Sequence, residues 1–151
     1  MFKLLVFITF HWTTVTCQFA AEIRPSSNYG FLQSGWMNGY TELIDVGNNF
    51  NPQTGAFTLM TDAQQGFYFF QFQGYKIGGK RGQIQIVKND RPVADITEGD
   101  DKNPSMITGL ITLYLKKGDK VRLHNFEDDS IFVSRDYFTV DHPFTFTGYK
   151  M

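Results

Sequence analysis

An all-β sandwich or barrel is the fold class this sequence predicts, and three observations predict it. Apolar residues alternate or run in short blocks, with no convincing 3.6-residue period anywhere. Turn residues recur about every eight to twelve positions, the spacing of a chain folded into short strands. The segment Asn51 to Phe72, NPQTGAFTLMTDAQQGFYFFQF, reads as a turn, a short strand, a polar break and a strand almost solid with aromatics. About ten strands follow from this, with no room for helices between them.

The strands are placed in order. Gly30 to Trp36 is the first, Tyr40 to Val46 the second, and Gly47-Asn48-Asn49 turns the chain. Thr54-Gly55 marks the next turn, because glycine takes a positive φ at no steric cost. Ala56 to Met60 is a short strand, Asp62 to Gly66 a polar break, and Phe67 to Tyr75 the aromatic strand. Ile77 to Gly82 reads as a loop. In Gln83 to Lys88, Ile84 and Ile86 share one face and Gln83 and Gln85 the other. Asn89-Asp90 turns into a return strand over Pro92 to Ile96. Glu98 to Pro104 is a loop, and Met106 to Leu115 is a strong strand with Ile111, Leu113 and Leu115 on one face. Lys116 to Asp119 is a polar turn, and Val121 and Leu123 continue the alternation. Glu127-Asp128-Asp129 turns again before Ile131 to Val133, Tyr137 to Val140 and Phe144 to Tyr149.

The aromatic strand sets a requirement. Successive side chains point to opposite faces, so Tyr68, Phe70 and Phe72 share one side and Phe67 and Phe69 the other. Both sides need cover. The first is assigned to the sandwich interior and the second to a subunit contact, with the core of a second sheet as the plainer alternative. Burying one such ring contributes about 1.5–3 kcal/mol.

The 151 residues fit one domain. Residues 1–17 have the layout of a secretory signal peptide: a weakly positive start at Lys3, an apolar run from Leu4 to Phe10, and Val15-Thr16-Cys17 before the cut. The apolar run is too short for a span, which needs roughly 20 residues. Gln18 to Tyr29, with Pro25, Ser26 and Ser27, reads as a short flexible leader, and 30–151 as the globular domain. Cleavage after Cys17 removes the single cysteine and leaves 13 basic against 15 acidic residues. A secreted domain without a disulfide is held by its core, by oligomerisation, or by both. The near-neutral balance argues against a nucleic-acid partner, which needs a basic patch. Lys76, Lys80 and Arg81, beside three glycines, read as a solvated loop. No N-glycosylation site is expected, since Asn103-Pro104-Ser105 has proline in the middle.

Four blocks in order resemble the globular domain of the C1q family, whose jelly roll is shared with tumour necrosis factor. In the stretch GNNFNPQTGAFTLMTDAQQGFYFF the matching residues are Thr54, Gly55, Phe57, Gly66, Tyr68 and Phe70. VKNDRPV resembles the family's hairpin, with Asp90 where glycine is usual. LYLKKGDKVRL supplies Leu113, Leu115, Gly118, Asp119, Val121 and Leu123, and FTFTGYKM supplies Phe146, Gly148 and Tyr149. The resemblance covers roughly Gly30 to Met151 and implies a jelly-roll sandwich that assembles as a homotrimer. The collagen-like stretch frequent in the family has no room between Gln18 and Tyr29, so a head-only form is expected.

Residues for chemistry are few. Beyond the signal segment only His124 and His142 remain, and Asp141-His142 are neighbours whose side chains diverge on a strand. No zinc-ligand spacing and no phosphate-binding Gly-rich loop is present. Catalytic, cofactor and metal residues are therefore all expected to be none. Calcium stays open through Glu98, Asp100 and Asp101, or Glu127, Asp128 and Asp129, which read more plainly as solvated turn acids. Asp119 reads as a structural turn carboxylate. The expectation is a secreted, non-enzymatic binding protein without membrane insertion, acting on glycans, microbial surfaces or a receptor through three equivalent sites. The loops Gly78 to Gly82 and Glu98 to Pro104 are the expected recognition elements. The alternative is a released effector, such as a venom or secretory-gland component or a cytokine-like ligand.

Overall fold

The computed structural model describes residues 16–24, 29–99, 102–134 and 143–151. Its strands form two antiparallel sheets. The first contains β1 (Thr16–Ile23), β2 (Tyr29–Leu32), β4 (Thr41–Asp45), β7 (Gly66–Lys76), β10 (Ser105–Leu115), β12 (Ile131–Ser134) and β13 (Phe144–Lys150). Their order is β2-β12-β7-β13-β1-β4, with β10 on the other edge of β7. The second contains β3 (Gly35–Trp36), β5 (Phe50–Asn51), β6 (Ala56–Thr58), β8 (Gly82–Lys88), β9 (Arg91–Glu98) and β11 (Lys120–Asn125). It runs β5-β6-β11-β8-β9, and β3 also pairs with β11. One 3-10 turn, Asp62–Gln64, interrupts the strands where the polar break was expected.

The sequence alternation becomes the two faces of each sheet. Tyr68, Phe70 and Phe72 are fully buried, as are Ile84, Ile86 and Leu115. Phe19 stacks on Phe50 at 4.6 Å and on Phe57 at 5.1 Å, and meets Phe146 edge-on at 5.0 Å. Rings of this size pack between the sheets because glycines lie beneath them. Gly109 is opposite Phe72 in the ladder, and a Cβ there would sit 2.2 Å from the Phe72 Cε1. Gly148 is opposite both Phe19 and Phe70, and its Cβ would sit 2.4 Å from the Phe19 Cε1. An aromatic laid across a strand glycine covers backbone that no side chain shields.

The turns follow their chemistry. Gly55 has φ +64°, and a Cβ there would collide with the Met37 carbonyl oxygen at 1.9 Å. The Asn51 carboxamide oxygen accepts from the Gln53 and Thr54 N–H groups at 3.0 and 3.1 Å, shaping this turn. Asn89 and Asp90, at φ 50° and 61°, make the positive-φ pair that a two-residue hairpin requires.

Two expectations about boundaries need correction. The chain from Gln18 to Ile23, read as the start of a flexible leader, forms most of β1 between β13 and β4. Phe19 and Ala21 are fully buried, so the domain begins upstream of Gly30. Pro25 to Ser27 masked the signal, and two apolar side chains make a short period-two pattern. The single strand expected over Gly30 to Trp36 is two strands, β2 and β3, in different sheets, with a bend at Ser34 and Gly35 at φ +119°. Residues 1–15, most of the expected signal peptide, and the strand expected over Tyr137 to Val140 lie outside the described residues.

Candidate functional site

The outer face of the first sheet is assembled from three adjacent strands. Odd-numbered residues of β7 point outward: Phe67, Phe69, Gln71, Gln73 and Tyr75. Ladder register sets Tyr114 beside Phe67, Thr112 beside Phe69, Leu110 beside Gln71, Thr108 beside Gln73 and Met106 beside Tyr75. On the other edge Tyr149 pairs with Phe69, Thr147 with Gln71 and Thr145 with Gln73. None of these outward side chains is charged.

Aromatics gather at both ends of this face. At one end Phe67 meets Tyr114 edge-on at 5.2 Å, and Phe69 lies 6.4 Å from Tyr149. At the other Phe132 lies 5.6 Å from Phe31 and 6.5 Å from Tyr75. Gln71, Gln73 and the threonines separate the two, with Leu110 among them. Phe67 is 57% exposed and Leu110 63%, so large apolar surface faces outward. Phe67 and Phe69 therefore lie on the face expected of them, outside the sandwich. A wide, uncharged strip with aromatic ends has the composition of the centre of a protein interface. At its β1 margin, Glu22 is buried and is gripped by the Arg24 guanidinium through Nε and Nη2.

The other sequence candidates fall into place as structural groups. Lys76, expected in a solvated loop with Lys80 and Arg81, is buried instead. Its ammonium donates to the carbonyls of Ile77 at 3.2 Å and Lys80 at 3.0 Å, fastening the loop from inside. Lys80 and Arg81 are exposed. Gly78 and Lys102 meet at this end of the sandwich, since a Cβ on Gly78 would strike the Lys102 carbonyl oxygen at 1.9 Å. Asp100 and Asp101 lie outside the described residues, as do Asp141 and His142.

In the other acidic turn, Asp128 accepts from the Ser34 N–H at 2.7 Å and Asp129 from the Gln33 amide at 2.8 Å. The Ser34 N–H, followed by its hydroxyl, holds the Asp128 carboxyl below its ordinary range. These acids tie two loops together. Among the described residues no group of three His, Cys, Asp or Glu side chains could hold a metal ion.

Asp119 is built into a turn network. Its carboxylate accepts from the Lys116 N–H at 2.9 Å and the Asn89 amide at 2.7 Å, and pairs with the Lys88 ammonium at 2.9 Å. Partial burial opposes ionisation, but the Lys116 N–H, Lys88 and Asn89 together hold the carboxyl at about 2. Burial also pushes the Tyr40 and Tyr68 phenols above their ordinary range, and the Tyr68 hydroxyl donates to the Gln64 carbonyl at 2.6 Å.

The outer face of the second sheet carries a cluster that sequence reading did not assemble. His124 is opposite Trp36 on one side and Gln85 on the other, and Gln85 is opposite Asp95. These four side chains make one row across β3, β11, β8 and β9. The alternation had put Gln83 and Gln85 outward; nothing local linked them to Trp36, 49 positions away from Gln85.

The family follows from a match to the C1q domain over residues 36–151, and the chain belongs to this family. Its fold is similar to the globular domain of zebrafish complement 1qA, with TM-score 0.64 and 22% identity over 88% of this chain and 95% of that one. It is also similar to the Eiger TNF of S. frugiperda, with TM-score 0.59 and 14% identity over 89% and 93%. Murine APRIL aligns with TM-score 0.58 and 8% identity over 88% and 98%. No curated protein sequence matches the chain. The jelly-roll sandwich shared by C1q and tumour necrosis factor domains is thus its fold, and a C1q-type binding protein is its class. Among the described residues no helix is long and apolar enough to cross a membrane.

Proposed function

We propose that this is a secreted, homotrimeric recognition protein that binds an extracellular glycan, microbial surface or receptor. One observation carries the assembly: the outer face of β7, β10 and β13 presents aromatics and no charge. Water is an unfavourable neighbour for Phe67, Leu110, Met106 and Tyr114 together, and a neighbouring subunit packed head-to-tail around a three-fold axis covers them. The C1q family and the C1q and tumour necrosis factor likeness support the same arrangement. Three copies give three equivalent sites, so weak single contacts add to useful avidity.

Export is supported by the signal-like layout of residues 1–17. Cleavage after Cys17 removes the two rungs Thr16–Lys150 and Cys17–Tyr149 and leaves the Phe19 anchor in place. The test is direct. The protein recovered from the medium of expressing cells is analysed by N-terminal sequencing and light scattering, then applied to immobilised glycans, microbial cells and host cells. A trimer starting near Gln18 that binds one of these surfaces is expected. A monomer at micromolar concentration, or a trimer that binds none, overturns the reading.

A further inference from the structure

We propose that the outer face of the second sheet is a binding strip for a neutral oligosaccharide, running along Trp36, His124, Gln85 and Asp95. The inference deepens the recognition reading and rests on it for its setting. Three strand spacings separate Trp36 from Asp95, about 14 Å, a length that a short oligosaccharide spans. The two ends differ in chemistry, and a sugar needs both kinds.

The aromatic end is held rigidly. The Arg122 guanidinium lies 3.7 Å from the Trp36 ring centroid and donates to Asp90 at 2.7 Å. Asp90 stands at a hairpin position with φ 61°, where its carboxylate can fix Arg122 over the indole. His124 meets Trp36 edge-on at 5.0 Å and Phe126 at 4.4 Å. The buried His124 Nδ1 has no hydrogen-bond partner, so the rings rather than a polar contact place the imidazole. Trp36 and Phe126 are 39% and 44% exposed. Trp36 also walls a hollow of about 270 Å³ with Phe31, Leu32 and Met37. With Arg122 over one face, the exposed remainder of the indole offers a flat apolar surface to the C–H groups of a sugar ring.

The polar end is equally fixed. The Gln83 amide donates to both Asp95 oxygens at 3.2 and 3.1 Å, and the Gln85 amide donates to Oδ2 at 3.1 Å. The Thr97 hydroxyl reaches Oδ1 at 3.5 Å. With their N–H groups turned to Asp95, the two glutamines present carbonyl oxygens, which accept from hydroxyl groups. Charge then selects the ligand class. Arg122 is already paired with Asp90, whereas the partners of Asp95 are neutral. An anion meets an uncompensated carboxylate here, while a neutral polyol meets a set of acceptors and an aromatic plate.

Trp36 makes the proposal readable. The chain has two tryptophans, Trp12 and Trp36, so Trp12→Phe in the full chain leaves Trp36 as the fluorescent reporter. This protein is titrated with cellohexaose, mannohexaose and chitohexaose, and separately with a heparin oligosaccharide and hexalysine. A saturable change in Trp36 emission with at least one neutral oligosaccharide is expected. Asp95→Ala and Gln85→Ala keep the reporter and alter only surface side chains. Each is expected to weaken binding about tenfold, the weight of one or two well-made hydrogen bonds. Trp36→Ala, followed by calorimetry, should lose binding altogether.

No response to any neutral oligosaccharide at millimolar concentration overturns the proposal. So does unchanged affinity in Asp95→Ala and Gln85→Ala, or a response confined to heparin or hexalysine. The two readings fail separately. A monomer whose Trp36 responds to a neutral sugar removes the trimer and keeps the strip. A trimer that binds a cell surface equally well with and without Asp95 and Gln85 removes the strip and keeps recognition.

Discussion

In the proposed trimer, Phe67→Ser should disrupt assembly while leaving the subunit folded. Phe67 is 57% exposed in the single chain. Burying a whole phenylalanine contributes about 1.5–3 kcal/mol, so covering the exposed part is worth roughly 0.9–1.7 kcal/mol per subunit. Three subunits lose roughly 3–5 kcal/mol in the variant, and each 1.4 kcal/mol is tenfold in an equilibrium constant. Trimer formation should therefore weaken by about a hundredfold to a few thousandfold. Inside the subunit the change removes only the cross-strand contact with Tyr114, worth roughly 0.2–1 kcal/mol. Sedimentation velocity across nanomolar to micromolar protein measures the assembly, and thermal melting of diluted protein checks the fold. Tyr68→Ala is the contrast, because Tyr68 is fully buried and its loss should unfold the subunit. If Phe67→Ser assembles at the same concentration as the parent, this face is not the contact. If the parent itself stays monomeric at micromolar concentration, there is no contact to explain.

Gly109→Ala should lower stability by about 1–3 kcal/mol, because the new methyl falls 2.2 Å from Phe72 Cε1 and 2.9 Å from Ile96 Cδ1. Gly99→Ala, with nothing within 4 Å, should leave the melting temperature nearly unchanged. A chain beginning at Gly30 should fail to fold, one beginning at Gln18 should fold, and Phe19→Ala should cost about 3–5 kcal/mol by denaturant titration. Asp119 has its carboxyl lowered in the fold to about 2, so its contribution is complete above its ordinary pKa near 3.8 and is lost as pH falls toward 2. Acid unfolding of Asp119→Asn should accordingly be flatter over that window than the parent's.

The legible parts of the sequence were those written in local patterns. Gly66 to Phe72 is a strand by its run of aromatics, and the period of two separates Tyr68, Phe70 and Phe72 from Phe67 and Phe69 before any partner is known. Gly118-Asp119 and Asn89-Asp90 are turns by residue type, and both are turns in the structure. Lys76 was misread because a lysine near Lys80, Arg81 and three glycines looks like solvent-exposed loop. Only the folded chain shows its ammonium answering two carbonyls from beneath. The leader was misread because Phe19 and Ala21 acquire meaning only beside Phe146 and Phe50, far along the chain. The Trp36 row could not be read either, since its members come from four strands that the sequence does not align.

Alternation and turn chemistry therefore determined the all-β class, the two sides of the aromatic strand and the family blocks. Both act within a few residues, where side-chain direction is fixed by the backbone period. Strand order and register decided the rest: which aromatics lie over which glycines, which acids fasten loops, and that the outward strip of β7, β10 and β13 is free of charge. Those properties depend on neighbours brought together over tens of residues, and only the closed sandwich supplies them.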